Sequence, residues 1–342
     1  MEVFEREFFV YRLMAGYYRY KVEDELLKII APSLDIQYYG QEVYAETLMA
    51  ARNADISTDE DMLALLQSRG LWTPYDEDQF SNVLPKHIEY WKMELYKEFD
   101  NKIQRPKIQL HLDTARNAHN ELFRRRHSFD HYTQHGLATF ARWQAIIEEC
   151  TLKADGSKYD WSHVNINNVL EFLNKSFINE SMIRELARNE PWRSVWLAGK
   201  KISNLFGKPS IELSDEQRKI INWSGLYDNV AEYPDCPDDA LIDCDDAFDG
   251  WLTIKSRENK KAKDEEKIKK KTGGAKDAPE QFIMVQDKEE AKKVYDMNDA
   301  TSRMVIQQRL HVINKLGVAK DTDFADVQRG MNRQMSAAIR SK

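Results

Sequence analysis

The sequence predicts a mainly α-helical protein, with an irregular multi-helix body, a long kinked helical hairpin and a charged, loosely packed C-terminal extension. Only 13 glycines and 9 prolines interrupt the 342 residues, and residues of high helix propensity are abundant. Apolar residues recur every three or four positions over long stretches, which is the period of a helix face. A hydrophobic share of 42% beside 31% charged residues is typical of a soluble globular chain.

Changes in composition divide the chain into four predicted regions. They are an N-terminal helical domain with the hairpin (1–152), a Trp-rich helical domain that ends in an acidic loop (153–254), a lysine-rich helix or linker (255–276) and a C-terminal docking extension (277–342). The polar segment KADGSKYD, 153–160, marks the first boundary. In the linker, ten Lys or Arg residues stand against four acids with almost no apolar face, which indicates a solvated helix or a disordered tether.

The first elements are predicted as helices. Residues 4–30 place apolar residues at helical spacing up to Pro32, which acts as a stop. Residues 43–52 give a second helix. The stretch Ser57-Thr58-Asp59-Glu60 resembles an N-cap followed by acidic first-turn residues, and it opens a third helix that ends near Gly70.

The clearest periodicity predicts the hairpin. Apolar residues step by three or four positions through Leu84, Ile88, Trp91, Leu95, Phe99 and Ile103. After Pro106 the rhythm resumes from Ile108 to Leu122, so we expect a long amphipathic helix pair that is broken or kinked at the proline. Such a pair forms either a core hairpin or an arm that docks on a partner helix.

Further helices are predicted over 127–150, 164–177 and 181–189, and another begins at Glu190-Pro191-Trp192. The sequence LSDEQ, 213–217, resembles a capping box and opens the helix that carries Ile220 and Trp223. Beyond the linker, QFIMV (281–285) is predicted as a short extended patch, followed by short helices near 287–296 and 299–316.

The overall charge disfavours a general nucleic-acid binder, because the formal net charge is −7 and proteins that bind phosphate backbones are usually basic. The cysteines, Cys150, Cys236 and Cys244, do not form a disulfide framework or a zinc motif. The acidic start MEVFEREFF is unlike a signal peptide, and no apolar run approaches the roughly 20 residues that span a bilayer. We therefore expect an intracellular chain, or one carried inside a particle.

The stretch CPDDALIDCDDAFDGWL, 236–252, concentrates carboxylates without a Lys or Arg. A calcium loop that starts at Asp245 fails at its third position, Ala247, and at its twelfth, Ser256. We interpret the stretch as helix caps in a solvated connection or as an acidic surface that attracts a basic partner. The candidate partner-binding residues, with the extended patch included, are Asp238, Asp239, Asp243, Asp245, Asp246, Asp249, Trp251, Phe282, Ile283 and Met284.

Two other patterns invite a chemical interpretation. His127, His131 and His135 would share one face of a helix, where two of them could bind a transition metal, although the preceding Arg124-Arg125-Arg126 would repel a cation and suits phosphate better. Pro237-Asp238 followed by Glu258-Asn259-Lys260 imitates the split motif of a metal-dependent nuclease. No phosphate loop, nucleophile elbow or dinucleotide-binding turn is present, so we predict no catalytic residue, cofactor or resident metal.

Five phrases, read in order, carry a resemblance: VYRLMAGYYRY (10–20), EVYAETL (42–48), SRGLW (68–72), IRELARNEPWRSVW (183–196) and YDNVAEYPDCPDDALIDCDDAFDGW (227–251). Together they resemble a poorly characterised family encoded by large tailed bacteriophages, among virion and tail morphogenesis genes. The resemblance covers most of the chain and aligns no catalytic residue. It implies a tail assembly chaperone or a minor structural component; the helical composition departs from the β-rich pattern of tube and sheath proteins.

The leading hypothesis is therefore a non-enzymatic phage virion or tail assembly protein that acts by protein–protein interaction in the host cytoplasm or in the virion. Its expected partners are other virion or tail proteins, with self-association left open, and neither a membrane nor a nucleic acid is expected. The alternative is a nucleic-acid-interacting protein or metal-dependent nuclease that uses the arginine cluster and the lysine run; salt-dependent DNA binding distinguishes it.

Overall fold

The computed structural model describes residues 1–22, 25–161, 166–199 and 205–271, together with the single positions 295, 303 and 307. The protein is mainly helical, as the sequence predicts. The chain divides into two compact units, Met1–Ile254 and Lys255–Lys342. The boundary expected at 152/153 falls inside the first unit. None of the described helices is long and apolar enough to cross a membrane.

The elements follow one another in this order along the chain. They are α1 (Val3–Ala15), β1 (Tyr17–Val22), β2 (Glu25–Ile30), α2 (Leu34–Asn53), α3 (Asp59–Ser68), α4 (Pro74–Asp78), α5 (Leu84–Lys97), α6 (Arg105–Arg126), α7 (Gln134–Cys150), β3 (Thr151–Lys153), α8 (Ile166–Ser176), α9 (Glu180–Arg188), α10 (Trp192–Gly199), α11 (Asp215–Ala231), α12 (Asp239–Ile242) and α13 (Asp245–Lys271). A π-helical turn, Gln79–Val83, joins α4 to α5.

The prediction of one helix over 4–30 is wrong beyond Ala15. Gly16 ends α1 with a left-handed φ of 68°, which glycine adopts without steric cost. The following sequences YYRYKV and ELLKII are rich in aromatic and β-branched residues and form an antiparallel hairpin, with Tyr17 opposite Ile30. Strand β3 pairs with β2 and completes a small antiparallel sheet, so residues 151–153 and residues 25–30 lie in one sheet.

The predicted helical hairpin is confirmed, and the chain breaks before the proline rather than at it. Helix α5 ends at Lys97, and Pro106 lies in the first turn of α6, where its missing N–H is harmless. The two helices pack side by side, and the Trp91 ring stacks on His111 with 4.7 Å between ring centroids. Leu95 on α5 and Leu112 on α6 are buried, so the pair forms a core hairpin.

The helix predicted over 127–150 is interrupted at its beginning. Helix α6 ends at Arg126, a 3-10 turn covers Asp130–Tyr132, and α7 begins only at Gln134. Thr133 caps α7, its hydroxyl accepting a hydrogen bond from the Gly136 amide at 3.1 Å. A Cβ on Gly136 would lie 1.8 Å from the carbonyl oxygen of Asp130, so the tight turn requires glycine there.

Later helices agree more closely with the sequence. The helices predicted at 164–177, 181–189 and from 190–192 correspond to α8, α9 and α10. The predicted capping box is present at Ser214 and Gln217, which bond reciprocally at the start of α11. The extended patch 281–285 lies outside the described residues, as do the helices expected at 287–296 and 299–316 apart from the single positions 295, 303 and 307.

Two buried clusters form the core of the first unit. The larger joins α1, α5, α6, α9, α10, α11 and α13 around Leu13, Leu95, Ile183, Trp192 and Trp251. The Trp192 indole donates a hydrogen bond to the Ser224 hydroxyl at 2.7 Å, which satisfies its buried N–H. A smaller cluster of Ile29, Ile147, Val169 and Leu173 packs beneath the sheet.

Candidate functional site

The acidic stretch divides into an exposed part and a paired part. Asp238 is the N-cap of α12, and both it and Asp239 are exposed. Asp245, Asp246 and Asp249 lie in the first turns of α13 and are partly buried. Carboxylates at a helix N-terminus interact favourably with the helix dipole. This position brings the three α13 carboxylates against the body rather than into solvent.

Two arginines of α9 meet these carboxylates. Arg184 donates a hydrogen bond from Nη2 to Asp249 Oδ1 at 2.6 Å, and its Nε lies 3.3 Å from Asp245 Oδ1. Arg188 Nη1 donates to Asp245 Oδ1 at 2.7 Å, and its Nε lies 3.4 Å from Asp243 Oδ1. We call Arg184, Arg188, Asp245, Asp246 and Asp249, together with Lys92 and Arg116 of the α5–α6 hairpin, the ion-pair hub.

The hairpin supplies the remaining cations of the ion-pair hub. Lys92 on α5 donates to Asp249 Oδ2 at 2.6 Å. Arg116 on α6 forms a two-pronged pair with Asp246, with 2.8 Å between its Nη1 and Oδ2. Such bidentate pairs fix orientation as well as adding energy. The hub therefore joins α5, α6, α9 and α13 through charged side chains that lie up to 157 residues apart in the sequence.

Aromatic rings line the buried side of the ion-pair hub. The guanidinium of Arg184 lies 4.0 Å from the centroid of the Trp223 ring, a cation–π contact. Arg184 is only 5% exposed. Tyr227 accepts a hydrogen bond from Arg188 Nη1 at 2.9 Å, and burial raises the pKa of its phenol. Removing one member of such an enclosed charged network destabilises the fold, because it leaves another charge buried and unpaired.

The protonation states of the hub follow from this pairing. Burial would lower the pKa of the Arg184 guanidinium, but the hydrogen bond and charge of Asp249 outweigh it, and the pKa is raised. Burial would raise the pKa of Asp249, but Arg184 and Lys92 outweigh it and lower the pKa below the ordinary 3.8. Both groups are therefore held in their charged forms, which suits a structural ion pair better than proton transfer.

The interpretation of 236–252 as a solvated or partner-facing acidic surface does not hold for Asp245, Asp246 and Asp249, each of which is partly buried and paired within the body. Trp251, another candidate partner-binding residue, is 2% exposed and lies in the core rather than on the surface. The exposed candidates that remain are Asp238, Asp239 and Asp243. Phe282, Ile283 and Met284 lie outside the described residues.

The α9 partners of these carboxylates were overlooked in the sequence, although a signal exists. In ESMIRELAR the two arginines stand four residues apart, beside the buried Ile183, Leu186 and Ala187. Arginines on the buried side of an amphipathic helix require acidic partners elsewhere.

The three histidines do not share a helix face. His127 follows the end of α6 and pairs with Asp130 at 2.6 Å, His131 lies in the 3-10 turn, and His135 lies in α7, where it bonds the Tyr44 hydroxyl at 2.6 Å. Within the described ranges no three His, Cys, Asp or Glu residues cluster as a metal site requires. The expected one-face arrangement is therefore wrong.

Two residues of the arginine cluster serve the fold. Arg125 donates to the Leu71 carbonyl oxygen at 2.8 Å and lies 3.4 Å from Asp76. Arg126 bonds Glu77 at 3.2 Å. Both arginines hold the end of α6 against α4. In the nuclease-like pattern, Glu258 pairs with Lys255 at 2.8 Å on the helix surface.

Two of the cysteines, Cys150 and Cys236, have raised thiol pKa values. All three are free. Burial, the larger effect, and the nearby Glu149 raise the pKa of the Cys150 thiol to about 12, so the thiol stays protonated at neutral pH. Cys236 is exposed, and its thiol pKa is also raised, first by burial and then by neighbouring aspartates.

A surface that sequence reasoning did not single out lies on α1. This helix is apolar on two sides. Its inner side buries Val10 and Leu13, whereas its other side exposes Val3, Phe4, Phe8, Tyr11 and Met14, which we call the α1 outer face. Phe4 is 69% exposed, Phe8 61% and Tyr11 68%. The sequence contains a signal for this surface. A surface helix normally has one apolar stripe that faces the core, whereas α1 also carries apolar residues on its opposite side.

Two carboxylates accompany the apolar residues of the α1 outer face. Glu7 lies among the aromatic residues and Glu2 precedes them, and both are exposed. Arg12, the cation nearest the end of the helix, is turned inward and pairs with Glu216 at 3.1 Å. The outer face is thus mainly apolar, with one carboxylate within it at Glu7 and one at its N-terminal end at Glu2.

The chain matches no family model, no curated protein and no solved structure in the three comparisons made.

Proposed function

We propose that the protein is a non-enzymatic assembly protein of a tailed bacteriophage, a tail assembly chaperone or a minor virion component, that binds another virion or tail protein through the α1 outer face. The observation that carries the proposal is the row of exposed aromatic side chains at Phe4, Phe8 and Tyr11. Contiguous apolar surface with a polar rim is typical of a protein-binding site. The protein acts in the host cytoplasm, where assembly takes place, or in the virion.

The chemistry of the α1 outer face defines the kind of partner. Residues 4, 8 and 11 follow the spacing of one helical stripe, which suits packing against an apolar stripe on a second helix. The exposed carboxylates of Glu2 and Glu7 favour a partner helix that carries Lys or Arg beside its apolar stripe. We therefore infer an amphipathic helix with basic edges as the binding element of the partner.

The sequence resemblance supports the same role. All five of its phrases fall on elements described above, and two of them concern the surfaces discussed here. VYRLMAGYYRY covers the end of α1 and the start of β1, and YDNVAEYPDCPDDALIDCDDAFDGW runs from α11 to α13. The first phrase contains Tyr11 of the outer face, and the second contains the carboxylates of the ion-pair hub. On this proposal the first phrase supplies the C-terminal part of the docking surface, and the second supplies carboxylates that stabilise the body presenting it.

The test is affinity purification of the tagged full-length chain from phage-infected cells, with mass spectrometry of the retained proteins and of finished virions. The variant Phe4→Ser/Phe8→Ser removes the stripe. Phe140→Ser on α7 is the matched control, since it changes a residue that is 47% exposed elsewhere on the surface. We expect the unaltered chain and the control to retain virion or tail proteins and the stripe variant to lose them.

The presence of the chain in purified virions identifies a structural component, and its absence identifies a chaperone. Recovery of nucleic acid or replication proteins in place of virion proteins overturns the proposal. Equal retention by the stripe variant shows that the α1 outer face is not the contact.

A further inference from the structure

A cavity of about 370 Å³ lies where the end of α1 meets the sheet, α7 and the start of α11. Its walls are mainly apolar and include Leu13, Ile29, Ile30, Ile146, Leu173 and Phe177. Trp143 and Phe177, exposed by 52% and 53%, give it an aromatic border that reaches the surface. The volume falls in the range of about 300–1,000 Å³ typical of ligand pockets.

Most of the charges in the cavity wall are already paired. Arg12 bonds Glu216 at 3.1 Å and donates to the Ser176 carbonyl oxygen at 2.8 Å. Glu216 also accepts the Ile178 amide at 2.7 Å. Arg218 bonds Asp215 at 2.6 Å. The charge of each of these groups is therefore balanced within the wall, although the Nε of Arg12 is buried without an acceptor.

Among the described arginines of the wall, Arg142 on α7 is the one without an acidic partner. It lines the cavity and forms no ion pair or hydrogen bond with the part of the chain that the structure describes. Its Nε is buried without an acceptor. A guanidinium that has lost water without gaining an acceptor is destabilised, and an incoming carboxylate would supply the missing acceptor.

A comparison of Glu212 with Arg142 indicates which sign of charge the cavity favours in a ligand. Glu212 also lines the cavity and has no bonded partner among the described residues, but its oxygens remain open to solvent. Water therefore satisfies the free carboxylate, whereas the free guanidinium has a buried nitrogen. The desolvated and unsatisfied group is the cation, so the cavity favours an anion.

We propose that this cavity binds an apolar group that carries a carboxylate, with the apolar part against the walls and the carboxylate on Arg142. A free amphipathic acid and the C-terminus of a peptide that ends in apolar residues both present this chemistry. The site is separate from the α1 outer face, so it does not depend on the assembly proposal.

The test is isothermal titration calorimetry, which measures the affinity of the full-length chain for two matched pairs of probes. One pair is decanoate and decanol. The other is a hexapeptide that ends in leucine and phenylalanine, either with a free C-terminal carboxylate or as the amide. A charged hydrogen bond to Arg142 predicts that at least one free acid binds about tenfold or more tightly than its neutral partner.

The variant Arg142→Gln should abolish that difference while the neutral probes bind as before, and this retained binding also shows that the variant is folded. Arg124→Gln on α6, outside the cavity, is the matched control and should bind as the unaltered chain does. If Arg142→Gln does not fold, Ala31→Phe narrows the cavity instead and should weaken all the probes that bind.

The source is decided by which acid binds, since decanoate indicates a small amphipathic acid and the peptide indicates a partner's C-terminus. The proposal is overturned if neither acid binds, if acid and neutral probe bind equally, or if the preference for the acid survives in Arg142→Gln.

Discussion

Arg184 connects more of the body than any sequence pattern around it suggests. Its guanidinium contacts Asp245 and Asp249 on α13 and stacks on Trp223 of α11. The concentration of carboxylate in 236–252 is visible in the sequence. Its basic partners are not, because Lys92, Arg116 and Arg184 come from three other helices and only the tertiary fold brings them together. That is why charge counting predicts an acidic surface where an internal network exists.

Arg184→Ala should lower the free energy of unfolding by about 3 kcal/mol, because it leaves partly buried carboxylates with fewer partners. Chemical denaturation followed by near-UV circular dichroism measures the change. Lys175→Ala is the control, since it breaks an ion pair with Glu171 whose side chains are 74% and 65% exposed, and it should cause no measurable change. Equal effects of the two variants would show that the hub is not structural.

Asp249 should make the free energy of unfolding depend on pH in the acidic range. Its folded-state pKa lies below 3.8, so its contribution is complete above that value and is lost as the pH falls through the folded-state pKa. The difference in unfolding free energy between the unaltered chain and Asp249→Asn should therefore be constant from about pH 7 to pH 5 and should shrink below about pH 4. A difference that grows in acid would contradict the direction of the shift.

Glycines decide how closely the helices approach one another. A Cβ on Gly250 of α13 would lie 2.0 Å from the Lys92 carbonyl oxygen of α5, and a Cβ on Gly40 of α2 would lie 2.7 Å from Ile146 of α7. The α5–α6 hairpin was predictable because its apolar period is long. The strands over 17–30 could not be predicted in the same way, because short apolar runs fit a strand or a helix equally well. Only Gly16, read as the C-cap of α1, indicates that the helix ends before them.

Gly250→Ala should destabilise the body by about 3 kcal/mol, because the new methyl group meets backbone that cannot rotate away. Gly225→Ala on α11 is the matched control: nothing lies within 4 Å of its added Cβ. There the exchange should stabilise the helix by up to about 1 kcal/mol. Thermal unfolding of both variants measures the two effects. The close contact between α13 and α5 would be refuted if both exchanges had the same sign.

At the scale of the whole molecule, the first unit contains both buried clusters. Among the residues that the structure describes, every member of the two clusters, and of the partly buried shell around them, precedes residue 253. The first unit, Met1–Ile254, therefore holds its own hydrophobic core and presents the α1 outer face. The lysine-rich composition that begins at residue 255 predicted the boundary between the two units. Composition could not show that 1–152 and 153–254 share a sheet and a core, because the pairing of β3 with β2 across the 152/153 boundary is a tertiary contact.

Deleting residues 277–342 should leave the body folded, with a midpoint of thermal unfolding within about 2 °C of the full chain, and should weaken partner binding if the extension also docks. Scanning calorimetry and titration with the purified partner measure the two effects. Unfolding of the shortened chain would refute the modular organisation.

Hydrogen–deuterium exchange of the chain, alone and with the partner recovered by affinity purification, tests the proposed contact most directly. We expect the partner to slow amide exchange in residues 3–15 and to leave residues 236–249 unchanged. Slower exchange over 236–249, with 3–15 unaffected, would contradict docking through the α1 outer face and would return the contact to the exposed aspartates Asp238, Asp239 and Asp243.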